Sequence, residues 1–223
     1  EDVSDAQMHA IKNTRLTDAQ IQGLFEHRPA DDVRWYQALI AGGDLAVTGQ
    51  DVLLMSLLTP SRLLEMVRYF TVFDSKFGKL VARYQQVFGI RRLIERINTR
   101  RADGGREGGV VWHTTGSGKT LTMVFLSKTL ILHDTLKACR ILVVTDRVDL
   151  EKQLSDTFAA TGEFTGRTDK QASLANSGAK LAQMIGKGTE RIIFSLIQKF
   201  NSATKLPECF NDSADLIVLV DEG

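Results

Sequence analysis

The sequence predicts an α/β fold with a mostly parallel sheet, preceded by a mainly helical segment. Three observations predict it. Short β-rich runs alternate with helical stretches from Gly109 onward. Two of those runs, ILVV and LIVLV, are continuously apolar. A glycine-rich loop joins one β-rich run to the helical stretch behind it. Continuous apolar runs suit parallel strands covered by helices on both faces, whereas strands with one wet face alternate. Alternating β and α elements favour a sheet built from right-handed crossovers.

The elements follow in order, and the pattern changes near Val81. Residues 1–80 read as a helical accessory segment and 81–223 as the α/β domain. Thr17 is a natural N-cap for a helix over 18–26. After Pro60 and Ser61, residues Leu63, Leu64, Met66, Val67 and Phe70 fit one helical face. Val87, Ile90, Ile94 and Ile97 repeat that spacing and predict a helix over Tyr84 to Asn98. Its other face carries Arg91, Arg92, Glu95 and Arg96. Four glycines and three arginines between Thr99 and Gly109 make a loop. Strands are expected at Val110 to His113, Ile141 to Thr145, Arg191 to Phe194 and Leu216 to Val220. Helices are expected between them at Lys119 to Leu132, Val148 to Phe158 and Leu174 to Met184.

The bulk composition excludes several classes. Hydrophobic residues make up 43% and charged residues 25% of 223, an ordinary globular balance. A net charge of +1 gives no global pull toward nucleic acid. The charge is uneven, however: Val81 to Val110 holds seven arginines against three acids. Such a strip can touch phosphates, but a charge run is more often a solvated face. Two cysteines without metal-ligand spacing, Cys139 and Cys209, read as free thiols of a reducing cytoplasm. No apolar run reaches the length of a membrane span, and the acidic start EDVSDAQ does not read as a signal peptide.

The sharpest chemical signal is Gly116-Ser117-Gly118-Lys119-Thr120, between an expected strand and an expected helix. Glycines let the backbone wrap closely enough for several N–H groups to point at phosphate oxygens. The helix start adds partial positive charge. In that setting Thr115 and the loop residues contact the nucleotide. Lys119 reaches the β- and γ-phosphates, and the Thr120 hydroxyl holds Mg²⁺. The strict phosphate-loop pattern has glycine where this chain has His113, which reads as a packing residue rather than a catalyst. The second signal is the apolar run Leu216 to Val220 ending in Asp221-Glu222. It puts two carboxylates at the carboxyl edge of the sheet, where open α/β folds bind ligands. Asp221 is suited to Mg²⁺ and Glu222 to polarising an attacking water.

Together these motifs resemble the Walker A and DExH motifs of superfamily 2 helicases and translocases. The phrases RLLEMVRYFTVF, ARYQQ, GGVVWHTTGSGKTLTM, ILVVTDRVDLEKQL, IIFSLIQKF and DLIVLVDEG resemble the restriction subunit of type I restriction-modification enzymes. That family also has a histidine at the place of His113. The resemblance implies a RecA-like P-loop domain that binds ATP with Mg²⁺ and pulls duplex DNA. It implies modification (methyltransferase) and specificity subunits as partners, a nuclease domain before Glu1, and a cytoplasmic location with no membrane attachment. It also implies a second RecA-like domain, bearing an arginine finger, beyond Gly223, since the chain stops inside a motif.

The resemblance assigns further residues. Gln86 matches the glutamine that reads the adenine edge, with Gln85 as its rival. Thr145, Asp146 and Arg147 match a segment that touches DNA backbone; Ser195, Gln198 and Lys199 follow the next strand and resemble another. Other readings are a DExH helicase of DNA repair or of RNA, and a nucleotide switch that does no motor work. TDRVDLEKQ and LIQKF favour the restriction motor over the other helicases.

Overall fold

A computed structural model describes residues 3–74, 77–114, 116–146, 148, 151, 155, 156, 158 and 173–221. The chain divides into two compact units, Glu1–Glu65 and Met66–Gly223.

The first unit is helical: α1 Asp5–Lys12, α2 Asp18–Phe25, α3 Ala30–Ala41 and α4 Gly49–Leu58. Local chemistry starts these helices. Ser4 with Gln7, Thr17 with Gln20 and Thr48 with Asp51 each form a reciprocal capping box. Tertiary support is polar: Lys12 pairs with Asp51 and donates to the Ala46 carbonyl at 2.9 Å. Asn13 exchanges two hydrogen bonds with the Leu45 backbone. Among its described residues only Met8 is buried, so little apolar area is removed from water here. The boundary between the units falls within α5, Pro60–Tyr69.

The second unit opens on an antiparallel hairpin that the sequence reading did not anticipate. Its strands β1, Thr71–Asp74, and β2, Gly78–Val81, pair Thr71 with Val81 and Asp74 with Gly78. Helix α6 occupies Tyr84–Asn98 as expected, burying Val87, Ile90, Ile94 and Ile97. Helix α7, Lys119–Leu132, is buried along most of its length. A parallel sheet of β3 (Arg140–Thr145), β4 (Ile192–Leu196) and β5 (Leu216–Val220) runs in the order β4-β3-β5. Ile141 aligns with Ile192 on one side and Ile217 on the other.

Both faces of β3 are covered, as its unbroken apolar sequence requires. Ile141 and Val143 pack with α6 and α7 in one cluster. Leu142 and Val144 pack with Leu181, Ala182, Met184 and Ile185 of α8 (Gly178–Lys187) in another. Helix α8 starts later than expected because Ser177 caps it, while Leu174 bridges to Phe194 of β4 instead. From β4 the chain turns through a 3-10 turn, Ile197–Lys199, and a short helix α9, Phe200–Ala203, toward β5.

One expected strand is absent. Residues 110–113 take no strand, and Val110 and Trp112 are each 92% exposed. A strand needs a neighbour to accept its backbone hydrogen bonds. The outer edge of β5 has no strand beside it among the described residues, and Val218 and Val220 are half-exposed there. The run is apolar, but among the described residues no strand lies beside it to receive its backbone hydrogen bonds.

Candidate nucleotide-binding site

The glycine-rich loop before α7 turns as its glycines allow. Gly116 has φ +78° and Gly118 φ +89°, both in the left-handed region that only glycine enters at little cost. The Ser117 N–H donates to the Thr114 carbonyl at 3.1 Å, closing the turn. Gly118 is the N-cap of α7, so Lys119 and Thr120 are its first two residues, both half-buried. A helix start directs its first N–H groups outward along the axis. The Ser117 Oγ atom is shielded from solvent and has no hydrogen-bond partner among the described residues. Two left-handed glycines, a helix start and an unspent hydroxyl fit a triphosphate. Thr115 lies outside the described residues.

Gln86 stands directly behind this loop and is only 4% exposed. Its Oε1 accepts from the Arg83 N–H at 2.8 Å, and its Nε2 donates to the Gly118 carbonyl at 3.1 Å and to Thr122 Oγ1 at 3.2 Å. Gln85 beside it is exposed. His113 is half-buried and faces α6, where a Cβ on Gly89 would meet its Nε2 at 4.0 Å. No strand ends there, and its Nδ1 is shielded from solvent with no hydrogen-bond partner among the described residues.

The carboxyl edge of the sheet holds a second group. The chain steps outward from β3 to β4 and returns across β3 to β5, so the strand order reverses at β3. Crevices at such reversals are where open α/β sheets bind ligands. Asp221 follows β5 there, its N–H donating to the Val144 carbonyl of β3 at 2.9 Å. Asp146 follows β3 and is exposed. Thr145, the last residue of β3, is buried. Glu222 and Arg147 lie outside the described residues, as does most of the helix expected at Val148 to Phe158.

A third group joins the loops after β3 and β4. Gln198 Nε2 donates to the Asp146 carbonyl at 2.7 Å, and Lys199 Nζ pairs with Glu151 at 3.0 Å. Ser195 does not join them: β4 runs on to Leu196, leaving Ser195 fully buried with its hydroxyl on the Leu196 carbonyl.

The arginine strip is largely committed to the protein itself. Arg106 donates to Asp215 at 2.6 Å, the Ala214 carbonyl at 2.9 Å and the Ile97 carbonyl at 3.0 Å. Arg100 reaches the same carboxylate at 3.4 Å, Arg101 pairs with Asp103, and Arg96 pairs with Glu107. The hydrogen bond from Arg106 holds the Asp215 carboxyl below its ordinary range, and burial pushes the adjacent Cys139 thiol up. Sequence reasoning missed this clamp because its acid lies far along the chain from its bases. Among the described residues no cluster of three or more metal-ligating side chains occurs. Likewise no helix there is long and apolar enough to cross a membrane.

A left-handed glycine loop opening a buried helix, beside a parallel sheet whose order reverses, has the architecture of a RecA-like α/β domain. The chain belongs to the SWI2/SNF2 ATPase family, whose model matches residues 85–223. It is 34% identical over 179 residues to the type I restriction enzyme HindI endonuclease subunit of Haemophilus influenzae, covering 77% of this chain and 17% of that protein. It is 31% identical over 182 residues to a Methanocaldococcus jannaschii protein named provisionally as the MjaIXP type I restriction enzyme endonuclease subunit, covering 79% and 17%. A third relative, the SsaAORF53P endonuclease subunit of Staphylococcus saprophyticus, is 30% identical over 147 residues, covering 66% and 14%. The chain thus spans less than a fifth of the length of these relatives.

Proposed function

We propose that this chain is the ATP-binding half of the DNA-translocating motor in a type I restriction endonuclease subunit. The observation that carries the reading is the left-handed glycine loop at Gly116 to Gly118 opening α7, inside the segment that matches the ATPase family. The loop amides and Lys119 meet the phosphates, with Thr115, Gly116, Ser117 and Gly118 forming the cradle. Thr120 and Asp221 are the residues suited to hold Mg²⁺, which neutralises charge on the β- and γ-phosphates when bound. Glu222 positions and polarises the attacking water. Lys119 counters the negative charge that builds on the transferring phosphoryl group, so its contribution belongs to the transition state.

The loops after β3 and β4 supply the DNA-facing surface, through Asp146, Arg147, Gln198 and Lys199. The bond from Gln198 to the Asp146 carbonyl makes those two loops one surface. Duplex DNA is the track, and the modification and specificity subunits deliver the motor to it in the cytoplasm. In this arrangement no residue of the chain reads DNA sequence.

The test is ATP turnover and translocation by the whole restriction complex on duplex DNA. Lys119→Ala removes a transition-state charge partner and costs roughly 10²–10³-fold in turnover, about 3–4 kcal/mol. Glu222→Gln retains ATP binding while turnover falls. Near-normal turnover by a folded Lys119→Ala complex rules out the phosphate-loop assignment. Loss of ATP binding in Glu222→Gln as deep as in Lys119→Ala removes the role given to Glu222.

A further inference from the structure

The outer face of α8 carries an inference that rests on the DNA-facing reading above and extends it. Helix α8 buries Leu181, Ala182, Met184 and Ile185 against the sheet. Its other face sets Lys180, Gln183 and Lys187 in one stripe at helical spacing. The helix contains no acid. Among the described residues neither lysine has an ion-pair partner. Just past the last turn, Gly188 and Thr189 complete a concavity of about 260 Å³ that the three side chains line. Glu190 is the one acid on its rim, and its Oε2 is shielded from solvent. Two cations against one carboxylate leave the rim positive.

The chemistry of the lining decides what it can hold. Ammonium, amide and hydroxyl groups all donate hydrogen bonds. No large apolar side chain of α8 is exposed, whereas a protein-docking surface centres on an apolar core. Lysine, glutamine and threonine on a wet polar surface are instead the side chains that hold nucleic-acid phosphates. Lys180 and Lys187 lie about 10 Å apart along the helix axis. That is about the axial rise of three nucleotides on one strand of a duplex.

The stripe also lies where a duplex leaving the DNA-facing loops would pass. At the start of α8, a Cβ on Gly178 would collide with Ser202 of α9, whose hydroxyl donates to the Lys199 carbonyl at 3.2 Å. At its end, Arg140 of β3 donates to the Ile185 carbonyl at 3.1 Å. The helix therefore starts beside the loop that carries Gln198 and Lys199 and runs toward the amino edge of the sheet. We propose that Lys180, Gln183 and Lys187 form a second run of DNA-phosphate contacts, continuing the duplex path from that loop along the outer face of α8. These contacts read no sequence, as a translocating motor requires.

The test uses the whole restriction subunit and a short fluorescent duplex, titrated over a series of KCl concentrations. Each lysine on a phosphate contributes roughly 0.9 to the slope of log affinity against log salt. The double variant Lys180→Ala, Lys187→Ala should flatten the slope by about 2 and weaken binding roughly 50-fold near about 0.1 M salt. Lys180→Arg with Lys187→Arg should keep the wild-type slope. Mg-ATP affinity and melting temperature should not move in either protein. If the alanine pair lowers the melting temperature, Lys187→Ala alone decides, with a slope change of about 1. Lys79→Ala, at an exposed lysine of β2, is the control and should leave the slope unchanged. A loss as large in Lys79→Ala means that any surface charge acts alike and overturns the proposal. An unchanged slope in the α8 variant, with Lys199→Ala flattening it, overturns the proposal and leaves the DNA-facing loops standing. An unchanged slope in both removes the DNA-facing reading as well. An unchanged slope with lost binding of the modification subunit assigns the stripe to a protein partner and also overturns the proposal.

Discussion

Substituting Gly118 by alanine tests the loop geometry with a single methyl group. The residue sits at φ +89°, where an L side chain costs roughly 1–2 kcal/mol. The added Cβ would lie 3.1 Å from Gln86 Nε2, inside ordinary van der Waals contact. Gln86 is held on its far side by Arg83 and cannot retreat freely, so its bond to the Gly118 carbonyl lengthens, at about 1 kcal/mol. The two effects together destabilise the second unit by about 2–3 kcal/mol. Urea unfolding followed by circular dichroism reads this as a lower midpoint at unchanged slope. Mg-ATP affinity, measured on the folded variant, falls as well, because the loop amides no longer converge. A Gly118→Ala protein with wild-type midpoint and wild-type affinity would refute the reasoning, since the left-handed turn would then not exist in solution.

Two further perturbations address the rest of the structure. Arg106→Met removes a largely buried partner of Asp215 and two carbonyl contacts. It should cost about 1–3 kcal/mol, reduced from a fully buried pair because Asp215 is half-exposed. Because the Asp215 pKa is depressed in the folded protein, its contribution is present above the ordinary carboxylate range and lost as pH falls; urea midpoints measured down the acid range should lose that component in Arg106→Met. In the first unit, the hydrogen bond from Lys12 lowers the Asp51 pKa from 3.8 to about 2, helped by the Thr48 cap. Asp51 therefore supports α4 fully above pH 3.8 and progressively less as pH falls toward about 2. Helical signal in that window should drop for wild type, and Asp51→Asn should lack the step; equal titration of both would disprove the linkage.

What the sequence disclosed follows a physical pattern. Helix α6 was legible to the residue because four apolar side chains repeat at helical spacing. Strands β3 and β5 were legible because both are unbroken apolar runs. The hairpin at Thr71 to Val81 was not. Its strands are short, and what anchors it is distant: the Ala82 N–H on the Phe70 carbonyl and buried Lys128 donating to the Thr71 carbonyl at 2.6 Å. The run Val110 to His113 was read as a strand from its own side chains, whereas strand formation depends on a neighbour. At the site, the left-handed turns at Gly116 and Gly118 and the helix start at Lys119 were legible from residue type and spacing. Gln86 was singled out, but its three partners come from two helices and became visible only once folded. The arginines after Arg91 looked like one basic strip; folding sends Arg106 and Arg100 to Asp215, a pairing no local pattern encodes.

The central claim is that this chain holds the nucleotide while the rest of the motor completes the chemistry. The most direct measurement is ATP hydrolysis by the 223-residue chain beside the whole restriction subunit, each with and without duplex DNA. In the proposed mechanism a second domain closes over the γ-phosphate and supplies an arginine worth roughly 10³–10⁵ in rate. The chain alone should bind Mg-ATP, lose that binding in Lys119→Ala, and hydrolyse near background whether or not DNA is present. The whole subunit should turn over ATP rapidly only with duplex DNA. Strong duplex-stimulated turnover by the chain alone would contradict the account, because the catalytic site would then be complete without any further domain.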